Sequence, residues 1–218
     1  MSFGYPPLGL GDQPSAAQSQ AVSNRYQASF NAPSTAGDQT WTCPRTGEYT
    51  IYAWGPGGNG EPTSSGYAGS SGALAIWQRV RFQTGDVVTI SIPDRSTSSS
   101  GNTTVTTARK ATALTAGRGA HGTVSAGAVG IASNGDVNIN GSAGKVLAST
   151  GNDGGGTDGG TGSAQGAPGA PGYDGFRGGD GAGASGISGV PGAGGRTSSS
   201  SDPQRLGGSG LVIICRDK

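Results

Sequence analysis

Few residues in this sequence are suited to chemistry. Its one histidine, His121, sits in GRGAHGT with no neighbouring cysteine and no evident Ser–Asp partner, so it reads as a loop residue. Cys43 and Cys215 lie near opposite ends of the chain, and two cysteines without a histidine cluster make no zinc site. Both fall in strand-like sequence and would meet if the first and last strands pair. A disulfide and a pair of buried thiols both fit that arrangement, and cytosolic folding favours the thiols. Asp153, Asp158, Asp174 and Asp180 invite a calcium reading, but GNDGGGTDGG does not keep the spacing of repeat-type calcium sites. No G-x-S-x-G elbow, H-E-x-x-H helix or Walker loop occurs, and the acids are few and scattered. The expectation is a protein that is not an enzyme and holds no metal or cofactor.

Recognition chemistry is better represented. In GAPGAPGYDGFRGGDG, residues 166–181, glycine recurs every third position and Tyr173, Phe176 and Arg177 stand out among small residues. A Gly-X-Y run forms a polyproline-II-type helix with about 3.1 Å rise per residue, so residues three apart share an edge. One edge is bare glycine and the next carries Ala167, Ala170, Tyr173 and Phe176. After a one-residue slip a second run has glycines at 183, 186, 189, 192 and 195, with Ala184, Ile187, Val190 and Ala193 on its apolar edge. The slip argues against collagen, which needs an unbroken frame. A bundle of short polyglycine-II helices needs no such frame, because bare edges let backbones approach and bond one another. Aromatics held on such a rigid support lose little rotamer entropy on binding. Tyr173 and Phe176 are therefore candidate receptor contacts, with Arg177 beside them and Tyr67 in the similar setting EPTSSGYAG. The plain alternative is that Tyr173 and Phe176 pack on the β-core.

These features need elements to position them. The chain has 218 residues, of which 45 are glycine, so a leucine-rich core of ordinary size is not available. Net charge is +1 and only 12% of residues are charged, with Arg109-Lys110 the one adjacent basic pair, which argues against nucleic acid. No apolar run is long enough to span a membrane as a helix. The first twenty residues lack a basic n-region and a long apolar stretch, so synthesis and retention in the cytoplasm are expected. Residues 1–38 read as an N-terminal attachment arm in which AAQSQAVSNRYQASF could form a helix; Phe3, Tyr5, Tyr26 and Phe30 are its candidate anchors.

Residues 39–218 read as one glycine-rich β domain. GEYTIYAWG alternates with both faces apolar, so both faces are expected to be covered. In ALAIWQRVRF, Leu74, Ile76, Val80 and Phe82 share one face and Trp77, Arg79 and Arg81 the other. Thr84-Gly85-Asp86 then turns into Val88, Ile90 and Ile92 as an antiparallel hairpin. Weaker strands are expected at Thr103–Thr107, Lys110–Leu114 and Gly135–Asn140. GLVIICR, apolar on both faces, is expected to be a central strand. The fold class is all-β: a small antiparallel β-sandwich-like domain carrying a polyglycine-II bundle at about 151–195, where 20 of 45 residues are glycine.

The order TWTCPRTGEYTIYAWGPGGNG, SGYAGSSGALAIWQRVRFQTGDVVTISIP, NGDVNINGSAG, a glycine tract and GGSGLVII resembles the glycine-rich domains of bacteriophage virion proteins, over roughly residues 40–216. The tract is similar to that of T-even-like fibre-tip adhesins, which use polyglycine-II sandwiches to hold out host-binding loops. GPGGNG has fewer glycines than that family's norm, and Cys43 and Cys215 are not typical of it. The resemblance implies a virion protein, in a tail fibre or tail tip, that binds a host surface glycan or outer-membrane protein. It also implies attachment to other virion proteins through the arm, and fibre proteins are often homotrimers. The alternative is a non-adhesive decoration protein of capsid or tail. An ice-binding or matrix protein would share the glycine lattice but fits the missing leader poorly.

Overall fold

The structure is a computed structural model and describes residues 26–31, 37–60, 68–93, 101–122, 128–144, 192 and 207–217. Ten strands follow in order: β1 (Tyr26–Asn31), β2 (Gln39–Thr42), β3 (Gly47–Trp54), β4 (Leu74–Phe82), β5 (Val87–Ser91), β6 (Thr103–Thr107), β7 (Leu114–Ala116), β8 (Ala132–Ser133), β9 (Val137–Ile139) and β10 (Leu211–Arg216). They make two antiparallel sheets, sheet A with order β1-β10-β3-β4-β9 and sheet B with order β2-β5-β6-β7-β8. Among the described residues there is no helix. The polyglycine-II bundle expected at 151–195 lies outside the described residues, apart from Gly192.

The doubly apolar strands sit where their pattern demands. β3 lies between β10 and β4, and β10 between β1 and β3. Tyr49, Ile51 and Ala53 of β3 face sheet B with Val212 and Ile214 of β10, against Trp41, Val88, Ile90, Val105, Leu114 and Ala116. Tyr52, Trp54, Leu74, Ile76, Ile213 and Cys215 form a second buried cluster on the opposite, outer face of sheet A. At one end of the inter-sheet core Trp41, Tyr49 and Phe82 meet edge to face, with centroids 5.1 to 5.9 Å apart.

Three expectations fail for identifiable reasons. Thr84-Gly85-Asp86 is a turn, with Gly85 at φ 91°, but β4 and β5 do not pair: the turn carries the chain from sheet A to sheet B. That crossing is pinned from both sides. Cys43 N donates to the Asp86 carbonyl and the Cys43 carbonyl accepts from Gly85 N, and Arg109 grips the Asp86 carboxylate through Nε at 2.6 Å and Nη2 at 2.8 Å. The guanidinium's hydrogen bonds hold the Asp86 carboxyl below its ordinary range. Second, β4 does not keep one face throughout. A bulge sets Gln78 and Arg79 together opposite Thr50, with Arg79 at φ 50°, and reverses the alternation. Leu74 and Ile76 therefore face outward, while Trp77, Val80 and Phe82 face sheet B. Third, residues 110–112 form a bend and β7 begins only at Leu114.

The remaining elements sit close to their expected places. Thr103–Thr107 is β6 as expected, and the Gly135–Asn140 strand shortens to β9 behind a turn. Tyr26–Asn31, expected in the arm and open to helix, is instead an edge strand on β10, pairing Ala28 with Ile214 and Phe30 with Val212. Bonding to an apolar neighbour overrides the weak helical pattern.

Where the strands end, a second kind of order begins. The segments 55–60, 68–73, 117–122, 128–131, 141–144 and 207–210 continue β3, β4, β7, β8, β9 and β10 without belonging to either sheet. The backbone bonds among 55–60, 68–73, 117–122 and 128–131 step by three residues, where a β ladder alternates by two. Gly55 and Gly58 donate to Ala73 and Ser70; Ser70 and Ala73 donate to Ala120 and Gly117. Gly119 and Gly122 donate to Pro56 and Asn59, and Gly117 and Ala120 donate to Ile131 and Ala128. This is the period of a polyproline-II-type helix. The glycine edges face backbone directly: a Cβ on Gly58 would overlap the Ala120 carbonyl, one on Gly69 the Gly58 carbonyl, and one on Gly119 the Ser70 carbonyl.

Two outcomes follow. Gly58→Ala must push two backbone segments apart and is expected to lower stability by more than about 3 kcal/mol. Gly37→Ala meets nothing within 4 Å and should stay within about 0.5 kcal/mol of the parent in denaturant titration. Burial, then the contact with Cys43, pushes the fully buried Tyr49 phenol from 10.0 up to about 12. The fold thus favours the neutral phenol. The stability linked to it is complete below pH 10 and is lost as pH rises towards about 12. Tyr49→Phe gives up the bond to the Arg45 carbonyl, about 1 kcal/mol, and should show a shallower alkaline decline than the parent.

Candidate functional site

Each sheet end fixes a direction for the lattice segment it feeds. Segments 55–60, 117–122 and 141–144 leave β3, β7 and β9 and run away from the sheets; 68–73, 128–131 and 207–210 return to β4, β8 and β10. The connections 61–67, 123–127 and 145–206 therefore start and finish at lattice ends remote from the sheets. The lattice ends that bear these connections are the candidate site.

The described side chains at the tip brace it. The Asn59 amide donates to His121 Nδ1 at 3.0 Å, and Gly207 N donates to Asn59 Oδ1 at 3.0 Å, tying three lattice segments together. His121 Nε2 lies 3.1 Å from Arg118 Nη2, and the Arg118 amide donates to Asn102 Oδ1. Ser71 Oγ accepts from Ser142 N at 2.6 Å and Ser70 Oγ from Gly144 N at 3.2 Å, so the two fully buried serines fix the outgoing 141–144 segment. His121 lies outside the strands, as expected, and there braces the lattice. Its Nδ1 accepts the hydrogen bond from the Asn59 backbone amide. The missed signal was positional: His121 lies two residues after Gly119 and one before Gly122, inside a three-residue glycine step.

The sequence-derived candidates divide. Tyr67, Tyr173, Phe176 and Arg177 lie outside the described residues, within the connections 61–67 and 145–206 that join tip ends. Phe3 and Tyr5 also lie outside them. Tyr26 stands opposite Cys215 in the β1–β10 ladder, and Phe30 is half-buried against the inter-sheet core. Cys43 and Cys215 do not form a disulfide: Cys43 is in the inter-sheet core and Cys215 on the outer face of sheet A. Pairing of β1 with β10 does not bring them together, because Cys43 follows β2, a strand of the other sheet. Trp41, Trp54, Trp77, Tyr49, Tyr52 and Phe82 are all buried, and Phe30 is half-buried. Among the described residues no group of three metal-ligating side chains occurs, and no helix is long and apolar enough to cross a membrane.

His121→Ala would leave the buried Asn59 amide without its acceptor and should cost about 1–3 kcal/mol. Amide exchange at Asn59 should accelerate while exchange across β3 and β10 stays at parental rates.

No protein-family model and no curated protein matches the chain.

Proposed function

We propose that the chain is a bacteriophage virion protein, tail-associated, whose glycine lattice holds receptor-binding connections at one tip. The observation that carries this reading is the lattice itself. Six backbone segments, four of them bonded at a three-residue step, form the mount, and the three connections they bear start and end at its far end. The segment order resembles that of glycine-rich phage virion domains, and the three-residue step is the geometry of a polyglycine-II bundle. On this reading the bundle is built from the loops between strands, with the tract 151–195 extending it.

Tyr67, Tyr173, Phe176 and Arg177 are then the receptor contacts, because all four lie in connections mounted on the tip. Rigid mounting lowers the ordering entropy of binding a host glycan or outer-membrane protein. Phe3 and Tyr5 in the arm, with Tyr26 and Phe30 at its junction with the sheet, serve attachment to other virion proteins. Homotrimerisation would triple the number of tips presented. No metal or cofactor is required for any of this.

Purified protein added to host cells ahead of phage should reduce adsorption with dose. A Tyr67→Ala/Tyr173→Ala/Phe176→Ala variant of unchanged stability should protect at least about tenfold less, as expected for loss of aromatic hot spots. Folded parent protein that gives no protection would contradict the adhesin reading and leave the chain as a decoration protein of the particle.

A further inference from the structure

Charge is spread unevenly over the molecule. The described residues include seven basic and five acidic side chains, and all but Asp38 and Arg118 lie at the strand ends remote from the lattice. They occupy the β2–β3, β4–β5, β6–β7 and β8–β9 connections, the start of β3 and the ends of β4 and β10. The glycine tip stands at one pole of the sandwich and the charges at the other.

These charges do not neutralise one another. Arg109 is bonded to Asp86, and Lys110 Nζ lies 3.7 Å from Asp136 Oδ1. Arg45, Arg79, Arg81 and Arg216 make no ion pair among the described residues, and at this pole only Glu48 and Asp217 are left to face them. Asp217 already accepts from the Thr50 hydroxyl at 2.8 Å. Arg81 stands opposite Glu48 in the β3–β4 ladder without closing an ion pair, and both are exposed. Arg216 is partly buried, and its Nη2 donates to the Thr46 carbonyl at 3.3 Å. Gly47, next to Thr46, pairs with Phe82, so this contact sets Arg216 beside the ends of β3 and β4. Arg45, Arg79 and Arg81 are exposed, and no carboxylate claims them.

We infer that this pole docks on an acidic protein partner through Arg45, Arg79 and Arg81. A guanidinium is a planar fork matched to a carboxylate, and arginine is enriched where proteins meet. All the unpaired cations of the pole are arginines, and none is a lysine. Glu48 and Asp217, set among them, repel a continuous polyanion such as nucleic acid or polyphosphate. Carboxylates spaced along a protein can meet the arginines and avoid both acids, so the mixed pattern selects a protein over a phosphate polymer. The inference is independent of what the tip binds and of the particle that carries the chain.

The full chain is titrated at low ionic strength into a fluorescein-labelled peptide of Glu-Ser repeats, and binding is followed by anisotropy. The parent should bind, and added salt should weaken the complex, as expected for exposed charges. Arg45→Gln/Arg79→Gln/Arg81→Gln should bind at least about tenfold more weakly. No binding by the parent, or equal binding by the variant, would overturn the inference. Tighter binding of polyphosphate of matched charge would also overturn it, by assigning the pole to phosphate polymers. If the variant loses its fold, phenylglyoxal labelling of the parent is mapped by peptide mass instead. The Glu-Ser peptide should slow modification at Arg45, Arg79 and Arg81, and unchanged rates at all three overturn the inference.

Discussion

A backbone buried without side chains must still pair its N–H and C=O groups, and this requirement shapes the whole molecule. Unpaired, each buried group would cost on the order of 1–3 kcal/mol. The lattice segments satisfy it by bonding in several directions, 55–60, 68–73, 117–122 and 128–131 at a three-residue step, which a β ladder cannot do. Neighbours then approach so closely that the edges between them tolerate hydrogen and nothing larger. Gly55 and Gly58 against 117–120, Gly69 and Gly72 against 55–58, and Gly119 against Ser70 close a ring of mutual contacts in which each segment supplies a bare edge to the next.

The sandwich supplies what the lattice lacks. Six strand ends deliver the lattice segments already aligned, four from sheet A and two from sheet B, so their ordering entropy is met largely by packing in the apolar core. The core in turn depends on β3 and β10 being covered on both faces. The bulge at Gln78 and Arg79 serves the same purpose. It turns the Leu74 and Ile76 end of β4 toward the outer cluster and the Val80 and Phe82 end toward sheet B. Thr50 meets the irregularity with its hydroxyl, which donates to Asp217 Oδ2 and lies 3.4 Å from the Arg79 amide.

Much of the sandwich was legible in single strands. Apolar residues on both faces of GEYTIYAWG and GLVIICR correctly marked the central strands, because a doubly buried strand leaves that pattern wherever it sits. Pairing was less legible. The turn Thr84-Gly85-Asp86 has the residues of a hairpin, and only Arg109 and Cys43, distant in sequence, make it a crossing between sheets. The bulge was invisible because alternation in ALAIWQRVRF can be counted only if no residue is extra. The tip brace was hidden for another reason. Each lattice segment holds at most four glycines of its own, as in GPGGNG or AGSSGA, too few for the three-residue period to stand out beside the long run at 166–181. The period belongs to the assembly of segments and not to any one of them.

Amide hydrogen exchange across the lattice tests the account most directly. If the three-residue bonding is real, Gly55, Gly58, Ser70, Ala73, Gly117, Gly119 and Ala120 will exchange as slowly as the amides of β3 and β4, opening only with the whole domain. Exchange of these amides on the fast scale of surface loops, with β3 and β4 still protected, would contradict it and reduce the glycine segments to ordinary connections.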